Sequence, residues 1–365
     1  MIRLRVKVIR VLGVVAAMML AVGAVYFVIL STENSTQRLC RGILSVEDLK
    51  AAIGSEEQEV SDEMVKSGHG EWGRCKITAE TDAKSAVMTV EIDGIGSNWP
   101  YSPSYLYDRQ DIYREAIPVG GGTSGWVSDR SGSVWLPDSC AQRLGTGAHP
   151  PILRLNFERG HEPAGGATSL RTLLIKMATG AAEQAECSEQ TFAQELPPLD
   201  RREVRTGKSE NECDLNGFAI RRNDEKLPRM VNYIAGDIDS TWSCLIGVEG
   251  GEGVDGEMAM TAFTVTDSPQ VVNLYKARTK GSRVVVGGKE VWGEWVNRKD
   301  AGSVLMRCDG REMLASMEYP YEQSNTSAKN HSRRASSNYL LKPRELFDAF
   351  TSTLVSQRGC QAISG

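Results

Sequence analysis

At 365 residues, 41% hydrophobic and 24% charged, the chain can form two domains of ordinary size, each with its own core, and is not a disordered protein. The formal net charge of −5 is spread unevenly: residues 40–190 hold 14 Lys/Arg against 22 Asp/Glu, whereas residues 213–365 hold 19 of each. Neither half has the basic excess that phosphate neutralisation needs, which argues against nucleic acid as a partner.

Arg3, Arg5, Lys7 and Arg10 precede residues 11–30, a stretch of twenty uncharged residues. As a helix rising ~1.5 Å per residue, that stretch matches a hydrocarbon core roughly 30 Å thick. The flanking positive charge places the N-terminus inside. The expectation is a single-pass membrane protein with a cytoplasmic tail at 1–10, a transmembrane helix at 11–30 and its bulk outside the cytoplasm. A cleaved signal peptide is the competing reading. Its small residues would be Ala21, Gly23 and Ala24, which lie ahead of Val25, Tyr26, Phe27, Val28, Ile29 and Leu30, so cleavage there leaves an apolar tail on the product. A lipidation signal fits less well, because Thr36, Gln37, Arg38 and Leu39 precede Cys40.

Ser45 is placed to cap a helix in which Val46, Leu49 and Ile53 share a face, with Asp48 at the capping-box position and Gly54 as a stop. Residues 86–92 read as a strand, Val87, Thr89 and Glu91 alternating against Met88, Val90 and Ile92, and residues 134–136 and 152–157 read as further strands. A helix from about Ser169 carries Leu170, Leu173, Leu174, Met177 and Ala181 as one apolar stripe. Residues 191–211, with Pro197 and Pro198 followed by a charged run to Lys208, lack periodicity and read as a linker. Residues 258–266, 283–286, 291–296, 303–307 and 312–317 read as strands, residues 322–337 as an exposed loop, and Pro343 as the first position of a helix bearing Leu346, Phe347, Phe350 and Leu354. The expected fold class is α+β: two similar domains, 40–190 and 212–365, each an antiparallel sheet with helices packed on it.

The eight cysteines give a reason to pair the halves. Cys40, Cys75, Cys140 and Cys187 are separated by 35, 65 and 47 residues, and Cys213, Cys244, Cys308 and Cys360 by 31, 64 and 52. Trp72 precedes Cys75 and Trp242 precedes Cys244. Trp126-Val127 and Trp295-Val296 lie 14 and 13 residues before the third cysteines, and Gly132-Ser133-Val134 matches Gly302-Ser303-Val304. Such self-similarity reads as a duplication. In an exported chain these cysteines are expected to be disulfide-bonded. No Cys-x-x-Cys occurs and His69, His149, His161 and His331 are scattered, so no metal site is expected. Four cysteines allow three pairings per half, and the sequence does not select among them. The expectation adopted is sequential pairing: Cys40 with Cys75, Cys140 with Cys187, Cys213 with Cys244, and Cys308 with Cys360.

The stretch from Cys40 through Leu44-Ser45-Val46-Glu47-Asp48-Leu49 to Gly54, followed by Gly73-Arg74-Cys75, resembles the cysteine-bracketed domain of unknown function common in actinobacterial envelope lipoproteins. The match spans about 35 residues. It implies pairing of the first two cysteines, an envelope setting and a fold type, and no activity. The second half departs from it: around Phe218 and Ile220 it keeps the cysteines without the helix motif.

The chemistry-bearing patterns are few. No Gly-x-Ser-x-Gly elbow is present, and no Ser is followed three residues later by Lys. Residues 251–256 match Gly-x-Gly-x-x-Gly, but Glu252 and Asp255 would repel a pyrophosphate, so a hairpin turn is the better reading. Asp237 and Asp239, near Trp242, could bind a cation or act as acid and base, although two nearby carboxylates are more often a turn. The densest candidate surface is Trp99, Tyr101, Tyr105, Tyr107 and Tyr113, aromatics in a Pro/Ser-rich connection that can supply contact area at low entropy cost. The functional expectation is a membrane-anchored, non-catalytic binding protein of the cell envelope that takes an envelope protein or ligand and uses no cofactor. The alternative is an anchored cell-wall hydrolase using acids of the first domain.

Overall fold

The computed structural model describes residues 38–54, 59–65, 73–80, 85–94, 116–147, 150–187, 192, 196, 198–206, 211–220, 230–248, 258–279, 282–286, 289–296, 300–318 and 340–363. A short ladder of β1 (Arg38–Leu39) and β2 (Leu44–Ser45) leads into α1 (Val46–Ile53). There the Ser45 hydroxyl accepts the Asp48 N–H at 3.1 Å and Gly54 ends the helix at φ +73°. Seven strands follow: β3 (Glu59–Val65), β4 (Arg74–Glu80), β5 (Ser85–Gly94), β6 (Ile117–Gly120), β7 (Thr123–Val127), β8 (Ser131–Trp135) and β9 (Pro151–Phe157). They form one antiparallel sheet in the order β3-β4-β5-β9-β8-β7-β6, with α2 (Gly166–Gln184) across one face.

The second sheet begins inside the stretch read as a linker, where β10 (Arg201–Thr206) pairs along its whole length with β11 (Met230–Gly236). Next come β12 (Thr241–Val248), β13 (Met258–Thr266), α3 (Pro269–Arg278), β14 (Arg283–Val286), β15 (Lys289–Val296), β16 (Ala301–Cys308), β17 (Arg311–Glu318), α4 (Pro343–Arg358) and β18 (Gln361–Ala362). The order is β10-β11-β12-β13-β17-β16-β15-β14, with β18 added to β16. Without β10 and β18, this is the strand order of the first sheet.

Alternation along the strands sorts the apolar residues into three clusters. The first joins Val90, Ile92, Leu153, Leu155 and Phe157 to Leu170, Leu174 and Met177 of α2 and Leu49 of α1. The second joins Ile246, Phe263, Val304 and Met317 to Phe347, Phe350 and Leu354 of α4. A third crosses between the halves, packing Trp126, Trp135 and Ile152 of the first sheet against Leu245, Ala262, Leu305 and Leu314 of the second and against Val271, Val272 and Tyr275 of α3. Buried Ser124 and Ser268 are hydrogen-bonded across this contact, and the Gln270 side-chain amide donates to the Leu136 carbonyl at 3.3 Å.

These contacts correct the expected architecture. The described residues are mostly antiparallel sheet, and the halves are not clearly two α+β domains, because the face of each sheet opposite α2 or α4 supplies residues to one shared core. The membrane assignment is also corrected. Its span, residues 11–30, lies outside the described residues, and among the described residues no helix is long and apolar enough to cross a membrane. The 19-residue α2 carries Arg171, Lys176 and Glu183. The single-pass, membrane-anchored and cytoplasmic-tail assignments are therefore withdrawn.

Each cysteine bonds to the next in sequence. Cys40–Cys75 and Cys213–Cys244 tie the entry of each half to β4 or β12, and Cys140–Cys187 and Cys308–Cys360 tie the region after β8 or the end of β16 to the segment following α2 or α4. Four disulfides belong to an oxidising compartment.

The matched glycines also occupy equivalent places. A Cβ on Gly132 would lie 3.0 Å from Leu170 Cδ2, and one on Gly302 3.1 Å from Phe347 Cδ2, so each glycine lets its helix approach the sheet closely. The matched tryptophans do not correspond. Trp126 stands opposite Ser133, but it is Glu294, not Trp295, that stands opposite Ser303. The one-residue difference in spacing sends Trp126 into the core between the sheets and Trp295 to the other face, where its ring lies 5.6 Å from Phe347.

Candidate functional site

The second sheet and α3 cover the β6-β7-β8 end of the first sheet's face and the start of β9 at Ile152. Toward β4, the same face carries the polar half of each alternating strand. Cys75 and Ile77, Val90 and Ile92, and Leu153 and Leu155 point to the α2 core, leaving Arg74, Thr89, Glu91, Asp93, Arg154 and Asn156 on the open side, half-buried or exposed.

Register brings them together. Arg74 pairs with Glu91, Glu91 with Arg154, Arg154 with Ser133, and Ser133 with Trp126, so one row runs across β4, β5, β9, β8 and β7. The neighbouring row is Lys76, Thr89, Asn156 and Ser131. Above them lies a groove of about 450 Å³ lined by Arg74, Thr89, Glu91, Trp126, Ser131, Arg154 and Asn156, with the backbone of Gly132 and Leu155 beneath.

The charges in the groove are paired across strands. Arg74 Nη2 is 3.3 Å from Glu91 Oε1, and Arg154 Nη1 is 3.4 Å from Asp93 Oδ2. Asp93 also accepts the Gly94 N–H at 2.7 Å, which fixes its carboxylate at the end of β5. The β7–β8 turn is held by Ser128, whose N–H donates to the Ser131 carbonyl at 2.7 Å and whose hydroxyl lies 3.1 Å from that of Ser131. Ser133, between Arg154 and Trp126 in the row, is 1% exposed, and its buried hydroxyl has no hydrogen-bond partner among the described residues.

The sequence-derived candidates fare differently. Trp99, Tyr101, Tyr105, Tyr107 and Tyr113 belong to the connection from β5 to β6 and lie outside the described residues, as do residues 251–256 and 322–337. Asp237 and Asp239 form a turn in which the Asp239 N–H donates to Asp237 Oδ1 at 2.9 Å. Asp239 is also ion-paired with Arg358 of α4, which lies 3.9 Å from Asp309, so this cluster fastens the β11–β12 turn to the helix beside an open hollow of about 540 Å³. Cys40, Asp62 and Cys75 come within 4.8 Å of one another, but the two sulfurs are bonded together and Asp62 accepts the Cys40 N–H at 2.7 Å, an arrangement with no free thiolate for a metal.

The groove's own residues were not singled out from sequence. Alternation in 86–92 marks Thr89 and Glu91 as one face, yet which residues of β4 and β9 lie beside them depends on register. Among the described residues, the carboxyl groups that partial desolvation pushes above their ordinary range are Asp138, Asp267, Glu294 and Asp348, and none of them lines the groove. At Asp267 and Asp348, Arg311 and Arg344 act in the opposite direction.

No family model matches the chain, and no curated protein does. One solved structure, DynU16 from the dynemicin biosynthetic locus, is similar at 11% identity over 86% of this chain and 95% of its own, with a TM-score of 0.14; a likeness that weak carries no argument.

Proposed function

We propose that the chain is a non-catalytic binding protein of the cell envelope, working in an oxidising compartment and taking its ligand in the groove on the first sheet. One observation carries this reading: a polar concavity whose two arginines are each matched by a carboxylate at 3.3–3.4 Å. An acid/base pair needs a carboxyl kept ready to exchange a proton with substrate. Here the carboxylates are instead engaged by guanidinium groups, which suits an array of fixed donors and acceptors. The resemblance of residues 40–75 to an envelope domain and the four disulfides support the setting.

The test is retention of the purified chain on insoluble envelope material. Wild type should be retained, an Arg154→Ala/Asn156→Ala variant with unchanged circular dichroism should be released, and no soluble fragments should accumulate. Equal retention of the variant would remove the groove from the account. Fragments that form with wild type and not with Glu91→Gln would establish the hydrolase instead.

A further inference from the structure

The groove's chemistry narrows the class of ligand, and the inference that follows rests on the binding role proposed above. We infer that the groove is a carbohydrate site for a neutral glycan. The first argument is charge. The two cations that line the groove, Arg74 and Arg154, each have a carboxylate partner, Glu91 and Asp93, so its lining offers no unbalanced cation to a phosphate or carboxylate ligand and no unbalanced anion to a metal; Lys76, outside the lining at the head of the second row, stands opposite Glu63 of β3. A phosphate site would need the opposite arrangement, arginines free to engage the anion bidentately.

The second argument is pattern. Arg74, Glu91 and Arg154 stand side by side on adjacent strands, which places donor, acceptor and donor at intervals of roughly 4.8 Å. The parallel row adds the Thr89 hydroxyl and the Asn156 amide, groups able to donate and to accept. A sugar hydroxyl does both as well, accepting from a guanidinium while donating to a neighbouring carboxylate. An extended peptide fits less well, because its recognition by a sheet relies on an unpaired strand edge. The groove lies on the face of interior strands β5 and β9.

Isothermal titration of the full chain with chitotetraose, cellotetraose, maltotetraose and mannotetraose tests this, with inorganic phosphate and citrate as anion probes. At least one glycan should bind one-to-one and shift tryptophan emission, and Glu91→Gln and Asn156→Ala should each weaken it about ten-fold, the loss expected for one or two hydrogen bonds. The inference is overturned if none of the four glycans binds, if phosphate or citrate saturates the groove in their place, or if binding survives both groove variants. Should no glycan bind while Arg154→Ala/Asn156→Ala still abolishes retention on envelope material, the glycan class falls and the binding role stands. If that variant is retained as well, both fall.

Discussion

Replacing both Cys140 and Cys187 by alanine is expected to lower the free energy of unfolding by about 4 kcal/mol on a chain-entropy model. The bridge closes a loop of 47 residues that contains β9 and all of α2, and its two ends lie 5.2 Å apart at Cα. Without it, the unfolded chain regains the freedom of that loop, and the end of α2 is no longer tied to the turn after β8. A domain of this kind is stable by roughly 5–15 kcal/mol, so the loss would take up a large share of the margin. Urea unfolding followed by circular dichroism measures it. A loss under about 1 kcal/mol would mean that the unfolded state is constrained by something other than this crosslink.

The second large effect runs against helix propensity. Gly180 lies within α2, and in an exposed helix its replacement by alanine would stabilise by about 1 kcal/mol. Here a Cβ would lie 2.3 Å from the carbonyl oxygen of Ile43, far inside contact distance. Ile43 belongs to the β1–β2 turn, where Cys40 and Arg41 adopt φ values of +53° and +59° and Cys40 is bonded to Cys75, so the turn has little freedom to yield. Overpacking of this sort costs about 1–3 kcal/mol or more. Gly180→Ala is therefore expected to destabilise by about 2 kcal/mol net, from a packing cost of about 3 set against the propensity gain. A variant as stable as wild type would contradict the close approach of α2 to this turn.

Both effects bear on the groove, because α2 supports β8 and β9 from behind while Arg154, Asn156 and Ser133 face forward. The residues that hold the site together and those that form it alternate along the same strands. That alternation was legible in the sequence for residues 86–92, and residues 152–157 were legible as a strand. So were the ends of α1, where the Ser45 hydroxyl caps the first turn and Gly54, having no Cβ, takes the left-handed conformation that ends the helix, and the start of α4 at Pro343.

What was not legible depended on partners distant in sequence. The row from Arg74 to Trp126 draws on five strands, and no local signal fixes which positions stand opposite one another. The tryptophan match shows the hazard directly. Trp126 and Trp295 align as words in the sequence, but the bulk of one fills the core between the sheets and the bulk of the other packs on α4. The helix α3 had a local signature, Ser268 followed by Pro269, but its apolar residues Val271, Val272 and Tyr275 are too few to stand out without the sheet they cover. β10 shows a different limit: Arg201, Arg202, Glu203, Val204, Arg205 and Thr206 have the composition of a linker, and pairing with β11 makes them a strand.

The central claim is that binding takes place on the open face of the first sheet, and hydroxyl-radical footprinting of the full chain with and without envelope material tests it most directly. Protection is expected at residues 74–76, 89–93 and 154–156, with no change around Ile238, Asp309 and Arg358 in the hollow of the second half. Protection confined to that hollow, or none in β4, β5 and β9, would contradict the assignment of the site.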